Sequence, residues 1–152
     1  VIWMALIYSF SAAPAVKSSE TSDGISYKIV KVMAGLPFLD WEEEELKEKA
    51  DTLHVPIRKA AHFSEYALLA VLWVVPLGCT TKDNKKRMAA ALLLCIIYAA
   101  SDEIHQLFVP GRDGNVKDVI IDSVGAGFGI LVWRFLFHNF SCRLRAKNGM
   151  RT

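Results

Sequence analysis

Three long apolar segments, separated by short charged stretches, constrain the fold of this chain more than any other feature. They run from Ala60 to Gly78, from Met88 to Val109 and from about Val119 to Phe137. Each is close to the roughly 20 residues that a helix needs to cross a bilayer, and such runs suit lipid-facing helices better than amphipathic ones. Apolar residues make up 53% of the 152-residue chain. The sequence therefore predicts an all-α, polytopic integral membrane protein.

A further apolar segment, Val1 to Ala13, is shorter than a full span. We interpret it as part of a first transmembrane helix whose beginning is missing, because the sequence starts at Val1 and not at a methionine. The alternative is a signal peptide, since Ala13-Pro14-Ala15 has the small residues of a cleavage site, although no basic segment precedes it. We predict one membrane domain over residues 1–152, with four spans at about 1–16, 59–78, 88–109 and 118–138 and a basic cytoplasmic tail at 139–152.

The polar stretch between the first two predicted spans, Lys17 to Ile57, contains two segments with helical character. The segment at 25–36 has apolar residues on one helical face, and the segment at 40–51 is rich in glutamate. A helix with one apolar face and one polar face suits the membrane surface. We therefore expect two short extracytoplasmic helices that lie on the membrane and do not cross it.

Basic residues determine the predicted orientation. The loop at 79–87 contains four lysine or arginine residues, and the tail at 139–152 contains four more. Cytoplasmic loops carry the excess of positive charge in membrane proteins, so both segments are assigned to the cytoplasm. The opposite, extracytoplasmic side also carries basic residues, but less densely: Arg58, Lys59, Arg112 and Lys117.

Charge and cysteine content exclude several classes of protein. The formal net charge is only +2, so no nucleic-acid-binding surface is predicted. The three cysteines, Cys79, Cys95 and Cys142, are isolated in the sequence and match neither a zinc-finger spacing nor a paired disulfide pattern.

Ionisable residues are concentrated near the predicted outer ends of spans two, three and four. With a helical rise of about 1.5 Å per residue, Glu65, Asp102 and Asp122 each lie roughly 18 to 21 Å from the inner boundary of their span. Carboxylates at this depth are costly if they face lipid. We therefore expect them to face one another around a water-accessible pocket.

Helical spacing supports this pocket, because polar residues share one face of each span. These residues are Arg58, His62 and Glu65 on span two; Asp102, His105 and Gln106, with Glu103 beside them, on span three; and Asp118 and Asp122 on span four. The face of span four continues to Gly125 and Gly129, whose Gly-xxx-Gly spacing permits close contact between helices.

The same residues carry a resemblance to the VanZ-like family. The motifs that resemble it, in order, are Tyr8-Ser-Phe-Ser11 with Pro14, Lys59-x-x-His62-Phe-x-Glu65-Tyr66, Ser101-Asp102-Glu103-x-x-Gln106-x-x-x-Pro110-Gly111-Arg112 and Asp118-x-x-x-Asp122. Family members often have Asn where this chain has Asp122, and the added charge would alter a ligand preference. The family takes its name from a member associated with reduced sensitivity to the glycopeptide teicoplanin. The resemblance implies a multi-pass protein of the bacterial cytoplasmic membrane and cell envelope.

The first functional hypothesis is an enzyme that acts on an envelope lipid or a peptidoglycan precursor. Its candidate catalytic residues are His62, Glu65, Asp102, Glu103 and His105, which can act as acids or bases. Its candidate substrate-binding residues are Arg58, Lys59, Tyr66, Gln106, Arg112, Asp118 and Asp122, among which the arginines suit a phosphate or carboxylate. A divalent metal is a further option, with His62, Glu65, Asp102 and Asp122 as its ligands.

Three other hypotheses use the same residues. The pocket could bind a lipid-linked precursor or a glycopeptide without chemical turnover, or it could belong to a small proton-coupled transporter. The polar residues could also form a buried network that only holds the helices in register. In all cases we expect membrane lipids as partners and no nucleic acid, and we predict no oligomeric state.

Overall fold

The computed structural model describes residues 2–35 and 41–149, except for the side chains of Ala15 and residues 138–149. All the regular secondary structure of these residues is helical. The helices are α1 (Ile2–Ser11), α2 (Ala15–Ala34), α3 (Glu43–Leu77), α4 (Asn84–Gln106) and α5 (Val116–Gly149). The predicted all-α class is confirmed.

Three of the described helices are long and apolar enough to cross a membrane: α3, α4 and the Val116–Phe137 part of α5. They correspond to the spans predicted at 59–78, 88–109 and 118–138. The remaining apolar helix, α1, has 10 residues and therefore extends about 15 Å, half the thickness of a hydrocarbon core. The chain is a multi-pass membrane protein with three candidate spans in the described residues, and the predicted count of four is not confirmed.

The predicted surface helices differ from the helices observed. α2 begins at Ala15 and has 20 residues, so it is longer than the predicted segment at 25–36. The acidic segment at 40–51 was predicted as a separate helix, which is wrong, because α3 continues without a break from Glu43 through Pro56 to Leu77. Residues 36–40 of these segments lie outside the described residues. The change from polar to apolar composition near Ile57 is therefore not a boundary between two helices. It reflects a change in what surrounds one continuous helix.

α2 supports the polar half of α3, and it packs there with small side chains. Ser22 and Ser26 are buried, and their hydroxyls donate to backbone carbonyls one turn earlier, at 3.1 and 2.8 Å. Further along, Val30 packs against Leu46 and Ala50 of α3. These contacts hold the part of α3 that precedes the apolar segment in a defined orientation.

The centre of the bundle lies where α3, α4 and α5 pack together, with α1 against α3 and α4. Small side chains are prominent in this core, and Ala70, Ala91, Ala99 and Ala126 are fully buried there. Small residues let helices approach closely, which is a common basis of helix packing in membranes. Large apolar side chains lie on the outside of the same helices, among them Leu72, Leu93 and Leu131. This distribution is typical of helices that face lipid.

α5 approaches α3 so closely at the predicted Gly-xxx-Gly step that no side chain would fit between them. A Cβ atom on Gly125 would lie 3.0 Å from Cα of Phe63, and one on Gly129 would lie 2.8 Å from Cα of Ala67. A Cβ atom on Gly127 would meet no atom within 4 Å. The predicted contact is therefore present, and it turns the polar face of α5 toward α3.

Candidate functional site

A polar cavity of about 230 Å³ lies between α3, the loop that joins α4 to α5, and the first turns of α5. We call it the α3–α5 cavity. Six of the residues singled out in the sequence line it: Arg58, Lys59, His62, Arg112, Asp118 and Asp122. Three elements therefore contribute charged groups to one space.

The α3 wall of the cavity is a stripe of residues spaced by four. His54, Arg58 and His62 lie on one helical face because residues four apart are neighbours on an α-helix. The sequence analysis did not identify His54, since it assigned that residue to a surface segment separate from span two. The spacing of four between His54 and Arg58 was the available signal, and it becomes meaningful only when α3 is continuous.

Asp122 is the most deeply buried ionisable residue of the cavity. Its side chain is 0% exposed, and neither carboxylate oxygen has a hydrogen-bond partner among the described residues. Asp122 also lies within electrostatic range of the carboxylates of Glu65, Asp102, Glu103 and Asp118. A buried carboxyl group without a hydrogen-bond partner is costly, and a ligand that donates to Asp122 would remove this cost.

Asp118, by contrast, already has a partner at the edge of the cavity. Its Oδ1 lies 4.0 Å from Nζ of Lys59, and both side chains are partly exposed to solvent. Exposed pairs at this distance contribute about 0–1 kcal/mol to stability. The pair therefore balances charge at the rim, and either side chain can move to meet a ligand at little cost.

Arg112 holds the end of α1, a role that the sequence analysis did not assign to it. Its Nε donates to the carbonyl oxygen of Ala13 at 3.0 Å, and its Nη2 donates to that of Phe10 at 3.2 Å. Phe10 lies in the last turn of α1 and Ala13 lies just beyond it; carbonyls at a helix end lack a full set of helical partners, and a basic side chain can satisfy them. Burial lowers the pKa of the Arg112 guanidinium. Two of its three nitrogen atoms are thus occupied, which leaves Nη1, buried and without a partner among the described residues, for a ligand.

The turn before Arg112 depends on Gly111, which has a φ of 75°. This left-handed conformation favours glycine because a side chain there is strained. Gly111 also lines the cavity. The Pro110-Gly111-Arg112 motif therefore turns the chain back across the top of α4 and brings the guanidinium over the end of α1.

Glu103 positions the beginning of α5. Its Oε2 accepts a hydrogen bond of 2.8 Å from the backbone N–H of Asn115, and the Asn115 side chain in turn accepts one of 3.0 Å from the N–H of Lys117. Glu103 does not line the cavity. Its contacts fit a role in holding the loop better than the predicted role in catalysis.

A second group of predicted residues forms a buried layer beside α1. Gln106 Nε2 donates to Oγ of Ser11 at 2.8 Å and lies 3.4 Å from Oδ2 of Asp102. Tyr66 is fully buried and lies within electrostatic range of Asp102 and Asp122. Glu65 lies near Asp102 in the same layer. These residues adjoin the cavity without lining it, so Asp122 is the group that links the two clusters.

His105, another predicted catalytic residue, contacts α1 and does not line the cavity. Its ring stacks on that of Tyr8, with 4.5 Å between the centroids and 27° between the planes. Of the two histidines proposed as acid–base groups, only His62 lines the cavity. Its Nδ1 is buried and has no partner among the described residues.

The considered metal site has little support in this arrangement. Among the described side chains, those of residues 2–35 and 41–137, no three His, Cys, Asp or Glu are placed so that they could hold a metal ion. This includes His62, Glu65, Asp102 and Asp122, the set derived from the sequence. Cys79 and Cys95 are free thiols, and the side chain of Cys142 is outside the described part.

Comparison with known proteins identifies one family. The family model described as VanZ/LLP1 matches residues 1–138, which include every residue of the cavity and of the buried layer. No curated protein and no solved structure matches the chain significantly. Because the family model covers well over half of the sequence, and the motifs that resembled VanZ-like proteins all lie within the match, this chain belongs to the VanZ/LLP1 family.

Proposed function

We propose that this protein binds the phosphate-bearing head group of an envelope lipid or lipid-linked peptidoglycan precursor in the α3–α5 cavity. The observation that carries the proposal is the convergence of Arg58, Lys59 and Arg112 on one cavity from two separate elements. Guanidinium and ammonium groups are the side chains that bind phosphate best. Arg58 is half-buried, which strengthens its attraction for an anion relative to that of an exposed arginine.

The size of the cavity favours a head group over a whole antibiotic. Sites that enclose drug-sized ligands measure roughly 300–1,000 Å³, and the α3–α5 cavity measures about 230 Å³. A glycopeptide is much larger than such a ligand. An effect on glycopeptide sensitivity would therefore arise through the lipid or precursor that the protein binds.

The proposed site faces the extracytoplasmic side of the cytoplasmic membrane. This orientation rests on the four basic residues of the loop at 79–87 and the four of the tail at 139–152, which the positive-inside rule assigns to the cytoplasm. The cavity lies at the opposite ends of α3 and α5. Lipids and precursors that have reached the outer leaflet are thus the ligands that the site can meet.

Binding is favoured over catalysis because several predicted catalytic residues have positioning contacts. Glu103 holds the backbone of Asn115, and His105 stacks on Tyr8. Catalysis remains a second candidate function because of His62. This histidine lines the cavity together with Asp122, and both have buried atoms without partners among the described residues. Such a pair suits proton transfer on a bound head group.

Lipid binding to the purified protein tests the proposal. Native mass spectrometry would compare phosphatidylglycerol and phosphatidylethanolamine with diacylglycerol, which lacks a phosphate. We expect both phospholipids to bind and diacylglycerol not to bind. Arg58→Gln should weaken phospholipid binding about tenfold, since a hydrogen bond to a charged group contributes about 1.5–3 kcal/mol. Lys86→Gln removes an exposed charge at the start of α4, far along the sequence from the cavity, and serves as the matched control.

Equal binding of all three lipids, or an Arg58→Gln variant that binds as well as Lys86→Gln, would refute the proposal. Teicoplanin sensitivity of cells that carry each variant then tests the cellular consequence. His62→Gln separates the two candidate functions. If binding remains but the cellular effect disappears at equal protein level, chemistry at the head group is supported over binding alone.

A further inference from the structure

Apart from its two histidines, the lining of the α3–α5 cavity contains as many acidic as basic residues. The basic ones are Arg58, Lys59 and Arg112, and the acidic ones are Asp113, Asp118 and Asp122. A site for a simple anion is expected to carry an excess of positive charge, because each nearby carboxylate repels the ligand. The balance of charges indicates a ligand that itself carries both signs.

An acidic and a basic side chain of the cavity are both buried, and each has at least one polar atom without a partner among the described residues. Asp122 is 0% exposed and has no partner at either carboxylate oxygen, while Arg112 is 7% exposed and has no partner at Nη1, among the described residues. Three other ionisable side chains of the cavity already have a partner or contact solvent. Lys59 and Asp118 pair with each other, and Asp113 is exposed on the loop. Besides Nδ1 of His62, the buried atoms of the cavity that lack a partner among the described residues are therefore the two acceptor oxygens of Asp122 and the donor Nη1 of Arg112.

We infer that the head group bound in the α3–α5 cavity carries a primary ammonium in addition to its phosphate, as phosphoethanolamine does, and that Asp122 binds the ammonium. Arg58 and Nη1 of Arg112 contact the phosphate. This inference rests on the proposed function, and it adds the chemical class of the ligand. A primary ammonium has three N–H donors, which suit the two free oxygens of Asp122.

The presence of Asp122 and Arg112 in one cavity explains why a ligand with both charges should bind more tightly than a single ion. Removing one partner of a buried ion pair leaves an uncompensated charge, which is strongly destabilising. A phosphate alone would leave Asp122 unpaired and would lie near its negative charge. A head group that carries both a phosphate and an ammonium offers each of the two side chains a group of opposite charge. A quaternary ammonium, which has no N–H, would fill the space without donating to Asp122.

Lipid selectivity of the wild-type protein tests the inference without any substitution. Phosphatidylethanolamine, phosphatidylglycerol and phosphatidylcholine with identical acyl chains would be titrated in detergent and followed by native mass spectrometry. We expect phosphatidylethanolamine to bind about tenfold or more tightly than the other two, the ratio expected for one charged hydrogen bond. Equal affinities, or preference for phosphatidylglycerol, would overturn the inference and leave the proposed function intact.

Substitution of Asp122 locates the selectivity. Asp122→Asn should abolish the preference for phosphatidylethanolamine and leave phosphatidylglycerol binding unchanged or stronger. Asp23→Asn, which removes an exposed carboxylate of α2, should leave the preference as it is. Thermal unfolding in the same detergent checks that both variants are folded. A preference that survives Asp122→Asn in a folded protein would contradict the assignment of the ammonium to Asp122.

Competition with a soluble head group distinguishes recognition in the cavity from recognition of the acyl chains. Glycerophosphoethanolamine in large excess should displace phosphatidylethanolamine, whereas glycerol phosphate should do so less well. Failure of the soluble head group to compete would overturn the inference, because binding would then depend on the acyl chains. If none of the three phospholipids binds, the proposed function fails as well.

Discussion

Replacing Gly129 by alanine tests the contact between α3 and α5 that brings Asp122 toward the cavity. The added Cβ would lie 2.7 Å from the carbonyl carbon of Ala67 and 2.8 Å from its Cα. Carbon atoms in favourable contact are about 3.5–4.0 Å apart. Because the obstacle is backbone and not a mobile side chain, α5 must move away from α3 by about 1 Å.

The expected cost follows from two opposing effects. Forcing an additional methyl group into a packed interface costs about 1–3 kcal/mol, while alanine is favoured over glycine in a helix by about 1 kcal/mol. Gly127→Ala has the same gain in helix propensity, and its Cβ meets no atom within 4 Å. The difference in unfolding free energy between Gly129→Ala and Gly127→Ala therefore isolates the clash, and we expect it to be about 1–3 kcal/mol.

Unfolding in mixed micelles with increasing SDS, followed by tryptophan fluorescence, provides the measurement. Gly127→Ala should be as stable as the wild type or more stable, and Gly129→Ala should unfold at lower SDS. Gly125→Ala should behave like Gly129→Ala, because its Cβ would contact the carbonyl oxygen of Phe63 and lie 3.0 Å from the Cα and carbonyl carbon of that residue. Equal stability of the variants at 127 and 129 would refute the close contact and with it the position of α5.

Three further predictions concern the surroundings of the cavity. Arg112→Gln should destabilise the protein by about 2 kcal/mol or more, because it removes two charged hydrogen bonds to the end of α1. Unfolding in SDS measures this loss, and an unchanged midpoint would contradict the role of Arg112 in holding α1. Lys59→Gln should change stability by less than about 1 kcal/mol in the same assay, since its pair is partly exposed, and a larger loss would show that the pair matters structurally. Single cysteines at Asn84 and Asn115, in a background without native cysteines, should react from opposite sides with an impermeant thiol reagent, with Asn115 reached from outside; the reverse pattern would move the cavity to the cytoplasm.

Three of the four predicted spans correspond to long apolar helices, and the sequence located these three because their signal is local. Apolar runs separated by charged loops located three candidate spans, and α3, α4 and α5 contain all but the last one to three residues of these runs where the two differ. The same reasoning failed at the start of α3, where polar and apolar residues belong to one helix. The polar or apolar composition of a segment reflects whether water, lipid or protein surrounds it. The residue at which a helix begins is defined by backbone hydrogen bonds, which composition does not reveal. His54 was missed for that reason.

The candidate site shows the same division. Spacing on single helices predicted correctly that Gly125 and Gly129 form a contact face, and that Asp122 lies inside the bundle. It did not predict that Arg112 and Glu103 would hold backbone groups of residues distant in sequence. An arginine or glutamate near a membrane boundary has the same local sequence pattern whether it lines a cavity or hydrogen-bonds a distant backbone group. The partner that it meets depends on how the loop between α4 and α5 crosses the bundle.

The sequence by itself thus determined which segments are helical and apolar, which chemical groups lie near one level of the predicted spans, and which family the motifs resemble. These properties follow from residue type and helical periodicity, and they do not require knowledge of neighbouring helices. Only the tertiary structure separated the charged residues into those that line the α3–α5 cavity, those buried beside α1 and those that hold the loop. That assignment depends on the rotation and approach of α3, α4 and α5, and the contacts at Gly125 and Gly129 set the approach of α5 to α3.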